Sequence, residues 1–303
     1  MNGTRVEIRT PDPLLAPWEA GRAARVRAIA AASEEVWLEV AFAPGQEPRH
    51  QAVALDGRTV ADWRRSGGYL TIRLLEPELA ERATVAALAA AGADPRRSGR
   101  CIALAADGAA LQEAAGPGAR LREILPGEWW LEGAEGETAW PGMDPELRSP
   151  EDQVGARLAE AGLAVAAAES CTAGALAERL TAIPGSSGYV DRGWVTYTND
   201  AKAELLGVSE ADLAEHGAVS QPVAEAMVRG ALAGSAADLA LAVTGVAGPG
   251  GGTVDKPVGT VWIGAGHRDG EPLAHRFAFS GGRSEVRWRS VNAALGMACE
   301  LVS

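Results

Sequence analysis

The sequence predicts an α/β protein in which a three-layer α/β/α domain follows a separate α+β domain. Three observations predict it. The 303 residues are about twice a typical domain. Residues 132–150 are rich in Gly, Pro and acids and lack periodicity, as a linker does. Beyond them, short apolar strands alternate with helical stretches, the pattern of a layered α/β unit. The linker closes on a helix start. Ser149 can cap, Pro150 suits the first helical position, and Glu151 with Asp152 favour the positive end of the dipole. The boundary is expected near 148, dividing 1–148 from 149–303.

In the first part, apolar alternation over Val36–Phe42 and Tyr69–Leu75 suggests strands, and helices fit Trp18–Ala31 and Glu76–Ala91. No phosphate loop, metal cluster or histidine–nucleophile pair is visible there, and His50, near a Pro/Gly turn, reads as solvated. Six of the nine tryptophans fall here, with Trp129 and Trp130 adjacent, as core or as an interface.

In the second part, helices are expected over Gln153–Gly162, Ala173–Leu180, Asp200–Leu206, Gln221–Gly234 and Ser284–Leu301. Gly207 ends the third of these and Ser220 caps the fourth. Strands are expected over Leu163–Ala168, Trp194–Tyr197, Leu239–Thr244, Val258–Ala265 and His275–Phe279. Ligands of open α/β sheets bind beyond the carboxyl ends of the strands. That rule points to 169–172, 198–202 and 245–252.

Composition narrows the function. Charge is −12, about −5 before residue 151 and −7 after it, so neither half offers a basic face to nucleic acid. No apolar run is long enough to span a membrane, and no secretory signal is visible. Cys101, Cys171 and Cys299 are widely spaced and odd in number, which reads as reduced thiols of a cytoplasmic protein. No His/Cys/Asp cluster has ligand spacing, so neither metal nor organic cofactor is expected.

Of 28 basic residues only two are lysines, Lys202 and Lys256. Arginine stays charged, whereas a buried lysine amine can be neutral and act as a base. Two lysines in an arginine-biased chain are candidates for positions that need an amine.

Three loops carry candidate chemistry. Ala-Glu-Ser-Cys-Thr-Ala-Gly (168–174) places Ser170 and Thr172 between a strand and a helix, where free N–H groups can stabilise an oxyanion, or where either hydroxyl simply caps. In Gly-Trp-Val-Thr-Tyr-Thr-Asn-Asp-Ala-Lys (193–202), Thr198 or Asn199 can cap a helix with Lys202 in its first turn. The dipole and partial burial both disfavour an ammonium there, and a neutral lysine beside a serine is a workable base. Tyr197 can share that site as proton relay or oxyanion donor. Thr-Gly-Val-Ala-Gly-Pro-Gly-Gly (244–251) is a Gly-rich turn able to approach a phosphate or carboxylate, though it is no Walker A loop. Arg283 can add a phosphate contact. No Gly-x-Ser-x-Gly elbow is present, and His216, His267 and His275 lack a triad pattern.

With Pro-Gly-Ser-Ser (184–187), His-Gly-Ala-Val-Ser (216–220) and Lys-Pro-Val-Gly-Thr-Val (256–261), these stretches over 151–303 resemble the CinA C-terminal domain family, the nicotinamide-nucleotide amidases. The resemblance implies hydrolysis of the carboxamide of nicotinamide mononucleotide to nicotinate mononucleotide and ammonia. It implies a serine nucleophile with lysine and tyrosine partners, carried onto Ser170, Lys202 and Tyr197. The substrate contacts expected are Cys171, Thr172, Ala173, Asn199, Thr244, Gly245, Gly248, Lys256 and Arg283. The expected partner is a small pyridine nucleotide; a homo-oligomer is open. Ala173 stands where the family usually has a second glycine, and Thr198 replaces a common serine. Many family members also carry an N-terminal molybdopterin-binding-like domain with pyrophosphatase activity, whose Gly/Asp motifs residues 1–148 do not show. The alternative reading is a catalytically weak nucleotide-binding or regulatory module whose N-terminal domain mediates a partner interaction.

Overall fold

The computed structural model describes residues 148–302 continuously. Before them it describes 6–9, 38–42, 52–55, 58–66, 69–74, 100–104, 108–125 and 127–132. The chain forms two compact units, the first drawn mainly from the chain before Pro150 and the second mainly from Pro150 onwards.

In the first unit, β1 (Val6–Arg9), β2 (Leu38–Phe42), β3 (Ala52–Leu55), β4 (Arg58–Ser66) and β5 (Tyr69–Leu74) form one sheet in the order β1-β2-β5-β4-β3. The first two pairings are parallel and the last two antiparallel. A second sheet has the order β6-β8-β7, from β6 (Arg100–Leu104), β7 (Arg120–Leu125) and β8 (Glu128–Glu132), with helix α1 (Gly108–Ala115) between β6 and β7. Trp129, in β8, is half-buried. The helices expected over 18–31 and 76–91, His50 and most of the linker lie outside the described residues.

The second unit is a mixed five-stranded sheet with helices on both faces. Its strands are β9 (Val165–Glu169), β10 (Val190–Val195), β11 (Leu239–Gly245), β12 (Thr260–His267) and β13 (Leu273–Ala278), in the order β10-β9-β11-β12-β13. Strands β10, β9 and β11 run parallel, whereas β12 and β13 are antiparallel additions. The helices are α2 (Pro150–Ala161), α3 (Ala175–Thr181), α4 (Asn199–Leu206), α5 (Glu210–His216), α6 (Gln221–Ala233) and α7 (Arg283–Leu301).

Strand alternation separates two cores. Val165, Ala167, Leu239, Leu241 and Val243 join the cluster built with α2, α3 and α7. Ala166, Ala168, Ala240 and Ala242 face Val223, Met227, Val228 and Ala231 of α6. Small side chains on the second face let α6 lie close to the sheet. Helix α6 in turn receives α4 at Gly230, where an added Cβ would overlap the Leu206 carbonyl oxygen. That contact fixes the helix carrying Lys202.

On the first face, buried Arg179 ties three helices together. Its guanidinium donates to the Glu151 carboxylate (2.5 and 2.9 Å) and to Asn292 Oδ1 (3.1 Å), with the Trp288 ring 4.9 Å away. Losing one partner of such a pair strands a buried charge.

Two local expectations change. Ser220 occupies the N-cap position of α6, but its hydroxyl donates to the Gly217 carbonyl instead of accepting from the helix. Helix α5 was not expected; Ser209 caps it, accepting from the N–H groups of Ala211 and Asp212.

Candidate active site

Because β10, β9 and β11 are parallel neighbours, their carboxyl ends share one sheet edge. There the chain leaves β9 at Ser170, β10 at Thr196 and β11 at Val246. The Ser170 N–H still donates to the Val243 carbonyl, 2.9 Å, and the Thr196 N–H to that of Glu169, 2.7 Å. The serine is thus held by its own backbone before any side chain is considered.

Lys202 reaches this edge from α4. Thr198 caps the helix by accepting from the Ala201 N–H at 3.1 Å, which places Lys202 in the first turn with its side chain directed inward. Its Nζ lies 3.0 Å from Ser170 Oγ and 2.8 Å from the Thr196 carbonyl oxygen. The residue is 1% exposed. Among the described residues no carboxylate pairs with the amine, and burial pulls its pKa below the 10.5 of an ordinary lysine. A thiolate at Cys171 would oppose that shift, but burial pushes the Cys171 thiol up to about 12, so it is neutral near pH 7. The same shift disqualifies Cys171 as a nucleophile, since the thiolate is the reactive form.

The turn after Ser170 differs from the expected helix N-terminus. Helix α3 begins only at Ala175, and the buried Glu169 carboxylate takes its leading donors, accepting from the N–H groups of Gly174, Leu176 and Ala177 at 3.0, 3.0 and 2.8 Å. The Ala173 N–H closes the turn onto the Ser170 carbonyl at 3.1 Å. Among the described residues, the N–H groups of Cys171 and Thr172 make no hydrogen bond to another residue, and the buried Thr172 hydroxyl has no partner. These are the donors left beside Ser170. Ala173 has φ +51°, a conformation that favours glycine, while its methyl group is exposed to solvent.

The other expected residues separate into three groups. Tyr197 does not bond Ser170 or Lys202; it is 54% exposed, and its oxygen accepts from Arg283 Nη2 at 2.8 Å. Arg283 Nη1 donates to the Gly248 carbonyl at 2.9 Å, so this arginine joins the β10 loop to the Gly-rich loop. Thr244 is buried with its hydroxyl given to the Ala218 carbonyl, 2.8 Å. Gly245 is set by close approach, an added Cβ falling 2.7 Å from Val261 Cγ2. Lys256 Nζ donates to the His216 carbonyl at 2.6 Å, at the negative end of α5. Cys171 turns its side chain into the core, leaving only its backbone for a ligand. Asn199 is exposed and lines a cleft of about 670 Å³ with Asp200, Glu204, Glu210 and Leu213, which does not include Ser170 or Lys202.

The roles of three contributors escaped the sequence reading, although Glu169 lies in the stretch 169–172 to which the strand-end rule points. Thr196 anchors the amine through its carbonyl, Glu169 holds the turn, and Arg287 Nη2 donates to the Thr172 carbonyl at 2.7 Å. Among the described residues no group of three His, Cys, Asp or Glu side chains is placed to hold a metal ion. No helix there is long and apolar enough to cross a membrane.

A mixed α/β sheet with a buried serine–amine pair at the carboxyl edge of its parallel strands defines the class. The family profile described as CinA C-terminal domain matches residues 147–302, and the chain belongs to that family. It is 48% identical over 152 residues to the nicotinamide-nucleotide amidohydrolase PncC of Escherichia coli, covering 50% of this chain and 92% of that protein. It is 56% identical over 145 residues to a CinA-like protein of Mycolicibacterium gilvum, covering 48% of this chain and 34% of that one. Among solved structures, the competence/damage inducible protein CihA from Agrobacterium tumefaciens is 45% identical, at a TM-score of 0.49, and covers 52% of this chain and 98% of its own.

Proposed function

We propose that residues 149–303 form an amidohydrolase domain that converts nicotinamide mononucleotide to nicotinate mononucleotide and ammonia, with Ser170 as nucleophile and Lys202 as base. The observation that carries this reading is the 3.0 Å approach of the buried Lys202 amine to Ser170 Oγ. The amidohydrolase name of the 48%-identical relative supports the choice of substrate.

Neutral Lys202 has one lone pair and two N–H bonds. The lone pair accepts the Ser170 proton while one N–H continues to donate to the Thr196 carbonyl. Ser170 Oγ attacks the carboxamide carbon, and the Cys171 and Thr172 N–H groups receive the oxyanion. The Lys202 ammonium returns its proton to the amide nitrogen, which leaves as ammonia. Water, deprotonated by the same amine, then cleaves the acyl ester and restores Ser170. Arg283 and the 245–252 loop hold the phosphoribosyl end.

The reaction is tested by ammonia release from nicotinamide mononucleotide with the full chain, alongside Ser170→Ala. Release by the parent and its loss in the variant support the reading. Calorimetric binding without release would favour the nucleotide-binding module instead.

A further inference from the structure

We infer that Arg287 is a positioning residue for the oxyanion site: acting through two peptide groups of the 170–173 turn, its guanidinium holds and polarises the Cys171 N–H. The inference rests on the amidase reading and adds the cation that stands behind its oxyanion donors. A chain of hydrogen bonds carries it.

Arg287 Nη2 donates to the Thr172 carbonyl at 2.7 Å. That carbonyl shares a peptide group with the Ala173 N–H, which donates to the Ser170 carbonyl at 3.1 Å. The Ser170 carbonyl in turn shares a peptide group with the Cys171 N–H, which makes no hydrogen bond to another described residue. A peptide that accepts at its oxygen gains C–N double-bond character, and its N–H becomes a stronger donor. A cation at the head of the chain therefore strengthens the last donor, the one left beside Ser170.

Arg287 suits the head of this chain. Helix α7 brings it, half-buried, to a turn 115 residues earlier. Among the described residues its guanidinium makes this one hydrogen bond and no ion pair, and its Nε is buried without a partner. Its charge is felt at the far end. Burial sets the high pKa of the Cys171 thiol, and against it Arg287 favours the ionised form while the Glu169 carboxylate disfavours it. Negative charge beside Ser170 thus meets the buried Glu169, which Arg287 offsets. Arg283, one turn earlier on α7, bonds Gly248 and Tyr197 and takes no part in the chain. The amide oxygen of a bound substrate carries little charge and the tetrahedral oxyanion a full one, so a polarised donor acts on the transition state more than on binding.

The experiment compares the full chain with Arg287→Met, which keeps the length but removes charge and donors, and with Arg287→Lys, which keeps the charge. Ammonia release from nicotinamide mononucleotide gives kcat and KM. Of the three cysteines only Cys171 follows a serine. Protein labelled with ¹³C′-serine and ¹⁵N-cysteine therefore gives one Ser–Cys amide signal, that of Cys171, with no substrate present. Arg287→Met is expected to lower kcat about 10-fold with KM little changed, short of the roughly 10²- to 10³-fold that follows loss of a whole oxyanion donor. It should also move the Cys171 amide signal upfield. Arg287→Lys is expected to keep most of the parental kcat and signal. A parental Cys171 signal in Arg287→Met, a change in KM in place of kcat, or an Arg287→Lys enzyme as slow as Arg287→Met overturns the relay. Arg287→Gln, neutral but polar, is read in the same way if the methionine variant does not fold. If the parent releases no ammonia, the amidase reading fails, and the Cys171 signal still decides the relay.

Discussion

Lys202 Nζ stands 3.0 Å from Ser170 Oγ and 2.8 Å from the Thr196 carbonyl oxygen, although the two side chains lie 32 residues apart. The carbonyl fixes the amine and the amine orients the serine. Nothing on that path is exposed, so the lone pair that could take the serine proton is shielded from bulk water.

Replacing the amine with an apolar chain of similar length isolates its contribution. Lys202→Met is expected to lower the rate of ammonia release by about 10²- to 10⁴-fold, the range of a positioned base. Far-ultraviolet circular dichroism should match the parent, because the substitution keeps an unbranched chain in the same buried slot. Near-parental turnover would remove Lys202 from the mechanism.

The lowered Lys202 pKa has a sign in both activity and stability. The base must be neutral, so kcat/KM should rise with pH along a limb whose midpoint lies below 10.5. The unfolded chain binds more protons than the native one between the native pKa and 10.5. Parental stability relative to Lys202→Met therefore climbs across that window and is lowest below it. Denaturant unfolding of both proteins across that pH range measures the difference.

Ala173 at φ +51° is a local cost that glycine would avoid. An alanine in the left-handed region loses about 1–2 kcal/mol, and glycine returns roughly 0.4–1 kcal/mol of that through unfolded-state entropy. Ala173→Gly should therefore stabilise the fold by about 0.5–1 kcal/mol, read as a higher denaturation midpoint. With the methyl exposed, turnover is expected not to fall.

Glu169 accepts three backbone N–H groups at the head of α3 from a buried position. Glu169→Ala leaves the buried Leu176 N–H and the half-buried Gly174 and Ala177 N–H groups without this partner and should destabilise by about 1–3 kcal/mol, the cost of one buried unsatisfied group, with less from the two that water can reach. Loss of stability under 1 kcal/mol would show that the turn holds itself.

How much of this was legible depended on whether a residue acts through its side chain near in sequence or through distant contacts. Ser170 and Lys202 were visible because lysine is scarce and each sits where a strand gives way to a helix. Thr198 was visible as a cap. The roles of Thr196 and Glu169 were not, because one works through a carbonyl and the other, though inside the stretch 169–172, through backbone N–H groups that only the folded turn brings together. Arg287 meets Thr172 across 115 residues, and no local pattern encodes that. Helix α5 has seven residues and none buried, so periodicity could not mark it, although Ser209 before two acids was a readable cap. Strand β10 was expected to start at Trp194 but begins at Val190; as an edge strand it exposes Asp191, Arg192 and Gly193, which hides its alternation.

The two-lysine composition permits one direct measurement of the central claim. Lysine labelled with ¹³C at the ε-carbon gives one signal each from Lys202 and Lys256, and the signal missing from Lys202→Met is that of Lys202. Its titration in the parent protein is expected to show a midpoint below 10.5, in the direction that frees the amine to accept the Ser170 proton. A midpoint at or above 10.5 would mean an ammonium sits beside Ser170, and the serine–lysine mechanism would be contradicted.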